Sequence, residues 1–305
     1  MKWRNKGHEF DAVYECIKKK QKLYLYGAGE YGRRVLDIIR RKFGGRFSVE
    51  GFIDGDYKKQ GNQYCGLPVY APSDLKVDRE TMGVVISIVG ARISDEINNT
   101  LFGMGLKKDV DFFHYSVFLS VYFAYEKDML FLHDVSFLPS TYCNLRCEAC
   151  LNFTPYIDKF EVREWEDLLK DVDLFFSCVD YIETFHVSGG EPLLYPRIAD
   201  LLKYIFENYG NQIYSLETVT NGTVIPKEDF LRVLHDIPIV ITVDDYRDAM
   251  PEKILDIQRK DGVLDYFPIF HDEEISFDTL ASWSHMNSSA QADVGVGKRI
   301  YEAVI

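Results

Sequence analysis

Apolar residues recur along this chain in two alternating registers. In KLYLYGAGEYGRRVLDIIRRKF, residues 22–43, a β-like run ends at Tyr26, a glycine-rich turn follows, and Val35, Leu36, Ile38 and Ile39 then recur at helical spacing. SVEGFID (48–54) and GVVISIV (83–89) predict two further strands, an amphipathic segment spans 9–20, and ARISDEINNTLFGMG, residues 91–105, predicts a helix. Strands alternating with helices favour a parallel sheet, so residues 1–115 read as a Rossmann-like α/β domain. SVFLSVYFAYEKD, residues 116–128, is apolar and aromatic enough to pack between two domains, and the stretch 116–130 reads as a connecting helix and linker.

A second alternation begins at LFLHDVSFLPS. Strands are predicted at 131–138, 181–187, 212–219, 238–243 and 264–270, with helices at 163–176, 196–208, 226–235 and 250–259 between them. Repeated βα steps predict a parallel sheet curled into a partial (β/α) barrel over 131–305, with its functional loops at the strand C-termini. The tail from 271 is polar, rich in Ser and Asp, with one short helical ending. It supplies a sixth strand and helix poorly, so the barrel is expected to be truncated or to close with a partner.

Composition narrows the function. The 48 acidic and 35 basic residues leave a formal charge of -13, which favours solubility and argues against a nucleic-acid partner, because phosphate backbones need clustered Lys and Arg. An apolar content of 47% supports sizeable cores, yet no apolar run is long enough to span a bilayer and the N-terminus has no apolar signal region. The expectation is a cytoplasmic protein with no membrane partner. Glu126, Lys127 and the many surface acids read as a solvated face.

Three of the six cysteines, Cys143, Cys147 and Cys150, fall within eight positions of STYCNLRCEACLNFTP. In a reducing compartment such a cluster points to metal or redox chemistry, whereas the scattered Cys16, Cys65 and Cys178 read as small packing residues. Three thiolates hold a 4Fe-4S cluster by three of its irons and leave the fourth open, the mark of a centre that binds and transforms something. Zinc is the alternative, with His114, His133 or His186 as fourth ligand. After the next strand, FHVSGGEPLLYP places Gly189, Gly190 and Glu191 where glycines let backbone approach a ligand and a carboxylate accepts from an ammonium group.

Together these stretches resemble the radical S-adenosylmethionine (radical SAM) enzymes over roughly residues 131–270. The resemblance implies that Cys143, Cys147 and Cys150 ligate a 4Fe-4S cluster whose open iron chelates S-adenosylmethionine, and that Gly189, Gly190 and Glu191 orient the cofactor's amino group. Asn221 of TVTNGT is a further candidate contact, and Thr242 or Asp244 of ITVDD is expected to reach the ribose; for all three, turn or capping chemistry is the competing reading. The family often has an aromatic residue before the third cysteine, where this chain has Ala149, so the stacking on adenine falls to Phe153 or Tyr156 or is absent. An electron delivered by a flavodoxin or ferredoxin would release a 5'-deoxyadenosyl radical that takes hydrogen from a small-molecule substrate. His186, Asp245, Tyr246 and His271 are candidate substrate contacts.

The turn GAGEYG carries Gly27, Gly29 and Gly32 between a strand and a helix, and Asp54 ends the next strand where a ribose-binding acid would sit. The following GDYKKQGNQYCGLPVYAPSDL is similar to the N-terminal domain of bacterial sugar O-acyltransferases and polysaccharide-biosynthesis proteins, which implies nucleotide-sugar binding or a scaffold. A dinucleotide site and an interaction module remain alternatives. The function expected overall is a radical SAM enzyme acting on a sugar, nucleotide-sugar or related metabolite. A peptide-modifying radical SAM enzyme is disfavoured because no cysteine follows Cys178. A non-catalytic Fe-S or nucleotide-sugar binding protein is the third reading.

Overall fold

The computed structural model describes residues 8–147, 150–224, 226–245, 283–286 and 298–304. The chain divides into two compact units, Met1–Phe131 and Leu132–Ile305. Both are α/β.

In the first unit, α1 (Asp11–Lys19) precedes β1 (Lys22–Tyr26), α2 (Glu30–Lys42) and β2 (Ser48–Ile53). Then come β3 (Gln63–Tyr64), β4 (Leu67–Tyr70), β5 (Met82–Ile86), α3 (Ala91–Gly103), β6 (Phe112–His114) and α4 (Tyr115–Glu126). The sheet order is β3-β4-β2-β1-β5-β6, with β4, β2, β1, β5 and β6 paired in parallel. Leu23, Leu25, Phe52, Ile53, Val84 and Val85 are buried, the near-continuous apolar run of strands covered on both faces. β1 lies between β2 and β5, so its glycine turn falls where the order reverses.

The helix expected as a connector belongs to this unit. Phe118, Leu119, Tyr122 and Phe123 of α4 are buried, and Phe43 sits 3.9 Å from Tyr122 and 5.3 Å from Phe123 between ring centroids. An apolar, aromatic helix is consumed by the nearest core that offers matching rings. The β3–β4 hairpin was absent from the periodicity reading. Its two-residue turn holds Cys65 at φ 50° and Gly66 at φ 75°, the paired left-handed conformation of a tight hairpin, with Cys where Asn is the usual signal.

The second unit runs β7 (Phe131–Phe137), α5 (Trp165–Cys178), β8 (Tyr181–Val187), α6 (Ile198–Tyr209), β9 (Ile213–Thr220), α7 (Glu228–Asp236) and β10 (Val240–Asp245). β11 (Trp283–Met286) and β12 (Lys298–Val304) complete the order β11-β12-β10-β9-β8-β7. β8, β9 and β10 are parallel, but β12 lies antiparallel to β10, from Val240 opposite Val304 to Asp245 opposite Arg299. The short helical ending expected for the tail is therefore a strand, supplied with partners by the edge of β10. The helix and strand expected at 250–259 and 264–270 lie outside the described residues.

Strand alternation gives this sheet two unlike faces. Phe185 points to α5, with ring centroids 5.1 Å from Phe176 and 5.8 Å from Phe175, and Tyr209 of α6 stacks on Phe176 at 4.3 Å. The other face carries Thr184, His186, Ser215 and Glu217, with Thr184 opposite Ser215 and His186 opposite Glu217.

Candidate functional site

Three loops meet at the C-terminal ends of β7, β8 and β9. The cysteine loop leaves β7 and is closed at its base by an antiparallel bridge between Ser140 and Val162, flanked by Thr141 N–H to the Glu161 carbonyl at 2.8 Å and Arg163 N–H to the Pro139 carbonyl at 3.0 Å. The Gly-Gly-Glu-Pro loop leaves β8 and zips onto it. Ser188 N–H donates to the Phe137 carbonyl at 2.9 Å, Gly190 N–H to the Ser140 carbonyl at 3.0 Å, and Glu191 N–H to the Tyr142 carbonyl at 2.8 Å.

This contact explains the glycines. Gly189 has φ 143°, and a Cβ there would lie 2.3 Å from the Ser140 oxygen; a Cβ on Gly190 would lie 1.9 Å from the Tyr142 oxygen and 2.8 Å from the Cys143 nitrogen. Both positions are glycine because the cysteine loop's own backbone fills the space a side chain would need. Asn152 reaches back across the loop to donate to the Gly189 carbonyl.

Glu191, expected to face an amino group, turns inward instead. It is 1% exposed, its Oε1 accepts from Leu193 N–H at 3.1 Å and Thr220 Oγ1 at 2.7 Å, and its Oε2 accepts from Asn221 N–H at 2.8 Å. A buried carboxylate needs such donors, and here they come from the β8 and β9 loops, which it thereby clamps together. Asn221 extends the clamp to the cysteine loop. Its Nδ2 donates to Asn144 Oδ1 at 3.0 Å and lies 3.8 Å from Cys143 Sγ, while its Oδ1 accepts from Thr223 N–H at 3.0 Å and Thr223 Oγ1 at 2.6 Å. Asn144 Nδ2 closes the ring by donating to Thr223 Oγ1 at 2.7 Å. Thr220 and Thr223 belong to the TVTNGT stretch that marked Asn221, whereas Asn144 and Asn152 carry no motif signal of their own; only their positions beside the cysteines could have drawn attention to them.

The three cysteines are free thiols, each half-buried. Cys143 Sγ accepts from Leu145 N–H at 3.4 Å, and Cys150 Sγ lies 2.9 Å from the Thr154 hydroxyl. Burial pushes the Cys143 thiol up, Leu145 N–H opposes the shift, and Glu191, Cys147 and Cys150 add repulsion. Among the described residues no three His, Cys, Asp or Glu side chains are drawn together tightly enough to hold a metal ion. The donor set nevertheless fits a three-thiolate cluster: soft ligands, none spent on a disulfide, on one loop at the strand ends.

Of the three histidines weighed as zinc ligands, His114 belongs to the first unit, and His133 and His186 pair with carboxylates of the second unit's own strands. His114 caps α4 and meets Ser116 Oγ at 2.7 Å, His133 Nδ1 lies 2.7 Å from Glu183 Oε2, and His186 Nε2 lies 3.2 Å from Asp134 Oδ2. Thr242 is a buried mid-strand residue of β10 opposite Val219, and Asp244 lies on the same strand opposite Ile300. Phe153 and Tyr156 are each 68% exposed, with Phe153 at φ 54°. Ala149, Tyr246 and His271 lie outside the described residues, and Asp245 ends β10.

In the first unit, Asp54 is likewise committed to the fold. Its Oδ2 accepts from Ala28 N–H at 2.9 Å and Lys59 Nζ at 3.1 Å, and its Oδ1 accepts from Asp56 N–H at 2.9 Å. Lys59, unmarked in the sequence reading, also donates to the Ala28 carbonyl at 2.8 Å. Gly27 has φ 118°, and a Cβ on Gly32 would lie 2.1 Å from the Gly27 oxygen, so both serve the turn itself; around Gly29, at the start of α2, a Cβ would meet nothing within 4 Å.

This junction of a cysteine loop with a glycine–glycine–acid loop on a parallel α/β sheet is the architecture of a radical SAM domain, and residues 137–267 match the model of the radical SAM superfamily. The chain carries that domain, preceded by one that matches the PglD N-terminal domain over residues 22–101. Over 122 residues it is 34% identical to the redox-sensing transcriptional repressor Rex 1 of Thermotoga maritima, covering 38% of this chain and 58% of that protein. Over 86 residues it is 36% identical to the GTP 3',8-cyclase of Trichormus variabilis, covering 27% of this chain and 25% of that protein. The crystal structure of RSP, a Rex-family repressor, aligns at 15% identity and TM-score 0.27 over 37% of this chain and 62% of that one. The chain thus spans less than two thirds of each of these relatives. Among the described residues no helix is long and apolar enough to cross a membrane.

Proposed function

We propose that this protein is a radical SAM enzyme in which Cys143, Cys147 and Cys150 hold a 4Fe-4S cluster and the β8 and β9 loops seat S-adenosylmethionine. When bound, cluster and cofactor supply reductive carbon–sulfur cleavage and hydrogen-atom abstraction, fed by a reductant such as a flavodoxin or ferredoxin. The chain's own contribution is positioning. Gly190 and Glu191 lock the cofactor loop to the cysteine loop through the backbone, and Glu191 with Asn221 holds the third loop in the same frame. Thr154 offers a hydroxyl to Cys150, and the backbone N–H of Leu145 serves Cys143, so these sulfurs already have hydrogen-bond partners.

The observation that carries this reading is the backbone zipper between residues 140–142 and 190–191, which brings two motifs from different strand ends into one site. The substrate we assign is a small metabolite, a sugar or nucleotide-sugar of cell-surface polysaccharide synthesis. The match of residues 22–101 to the PglD N-terminal domain supports that choice. Anaerobic reconstitution with iron and sulfide should load about four irons per chain. Dithionite should then release 5'-deoxyadenosine from S-adenosylmethionine, and Cys147→Ala should abolish both. A chain that takes up zinc and no iron–sulfur cluster ends the proposal.

A further inference from the structure

The sheet face opposite α5 gathers several polar side chains on adjacent strands. Parallel strands are normally apolar on both faces; here the α5 side carries Phe185, Val187 and Leu216 together with Thr218 and a buried polar pair, Glu183 with His133 at 2.7 Å. On the other face the strand register places Thr184 beside Ser215 and His186 beside Glu217, with Thr242 one strand further. His186 stands between two carboxylates from its two neighbouring strands: Nε2 lies 3.2 Å from Asp134 Oδ2, and Nδ1 lies 3.8 Å from Glu217 Oε2. Ser215 Oγ donates to the other Glu217 oxygen at 2.7 Å. Thr184, Glu217 and Thr242 are buried, while Asp134 is open.

Each buried polar atom must be matched by a donor or acceptor, and Thr184, His186, Ser215 and Glu217 gather such groups side by side on one face of the sheet. We infer that this face binds the reacting part of the substrate, and that the part it binds is polyhydroxylated and neutral or amine-bearing rather than phosphorylated. On β7 to β10 the strand alternation places three acids, Asp134, Glu217 and Asp244, on this face and no Lys or Arg, so a phosphate or carboxylate group placed there would meet uncompensated like charge. Hydroxyl and ammonium groups donate to Asp134 and Glu217, and the Ser and Thr hydroxyls adapt to either role. His186 is the pivot: it spaces the two carboxylates and offers a ring nitrogen to a substrate hydroxyl. Asp134 and Glu217 had no motif to mark them; their value comes from the strand register.

The inference rests on residues 132–305 being the catalytic unit, but its test does not need a loaded cluster. Saturation-transfer NMR on the full chain, without iron or S-adenosylmethionine, would titrate glucosamine, glucitol and glucose 6-phosphate as probes. Saturable binding of glucosamine and glucitol is expected, with glucose 6-phosphate at least about tenfold weaker, the effect of one unfavourable charged contact. The charge-neutralised Asp134→Asn/Glu217→Gln double variant should lose about tenfold in glucosamine affinity and close the gap to the phosphate. His186→Gln, nearly isosteric, should weaken both favoured probes, and circular dichroism would verify that each variant is folded. Equal binding of the phosphate by the unaltered chain, unchanged glucosamine binding in the folded double variant, or no saturable binding of any probe would each overturn the inference. Iron uptake and cofactor cleavage are separate measurements, so their failure and this one are told apart.

Discussion

Gly190 and Tyr142 belong to loops from different strands, yet a methyl group on Gly190 would sit 1.9 Å from the Tyr142 carbonyl oxygen. The two motifs of the site are thus one packed object before any ligand arrives. Gly190→Ala should force the loops apart and destabilise the second unit by about 1–3 kcal/mol, the usual cost of overpacking. Urea denaturation of the metal-free chain measures the loss, and iron uptake on reconstitution should fall with it.

Glu191 separates a structural from a ligand-contacting role. Three buried hydrogen bonds converge on its carboxylate, so Glu191→Gln should place an amide N–H against a donor and cost about 2–3 kcal/mol without any cofactor present. Unchanged stability of the metal-free Glu191→Gln protein would show that its carboxylate serves a ligand instead.

Thr154 tests the surroundings of Cys150. A hydroxyl donating to a metal-bound sulfur stabilises the extra negative charge of the reduced state, so its removal should lower the reduction potential of the reconstituted protein. Thr154→Val should shift it downward by roughly 30–60 mV, up to about tenfold in a one-electron equilibrium, and Thr154→Ser should restore it. Redox titration followed by electron paramagnetic resonance reads the shift, and equal potentials in the Val and Ser variants would count against the hydrogen bond.

An alkaline transition is expected in the first unit. Tyr14 donates to Glu126 at 2.5 Å, linking α1 to α4, and this bond, ahead of burial, pushes the phenol from 10.0 up to about 12. A group whose folded value is raised contributes stability that is complete below its unfolded value and is lost as pH rises toward the folded one. The Tyr14 contribution should therefore hold below pH 10 and disappear between 10 and about 12. Chemical denaturation across that window should show a steeper fall for the unaltered chain than for Tyr14→Phe.

Where a residue's structure follows from near neighbours, it was legible. Val35, Leu36, Ile38 and Ile39 form one buried helix face because their spacing is helical, and β8 and β9 fall within a residue of the predicted strands because their apolar runs are bounded by turns. Where it depends on distant chain, it was not. KRIYEAV is a strand because β10 presents an edge to it, although by local spacing the end of the tail reads as helix. Asp54, marked by its place after β2 where a ribose-binding acid would sit, meets Ala28 and Lys59, contacts that its place in the strand pattern did not announce.

The sequence by itself determined the α/β alternation, the placing of three cysteines after one strand and of Gly-Gly-Glu-Pro after the next, and hence the likeness of residues 137–267 to the radical SAM superfamily model, because periodicity and motif spacing are local properties. Only the tertiary structure decided what those residues touch. Glu191 meets Thr220 and Asn221, about thirty positions away, and His186 meets carboxylates from two other strands. The physical reason is that a buried polar group takes whichever donor or acceptor the packed loops bring within 3 Å or so, and that choice is made by strand order and register rather than by neighbours in the chain.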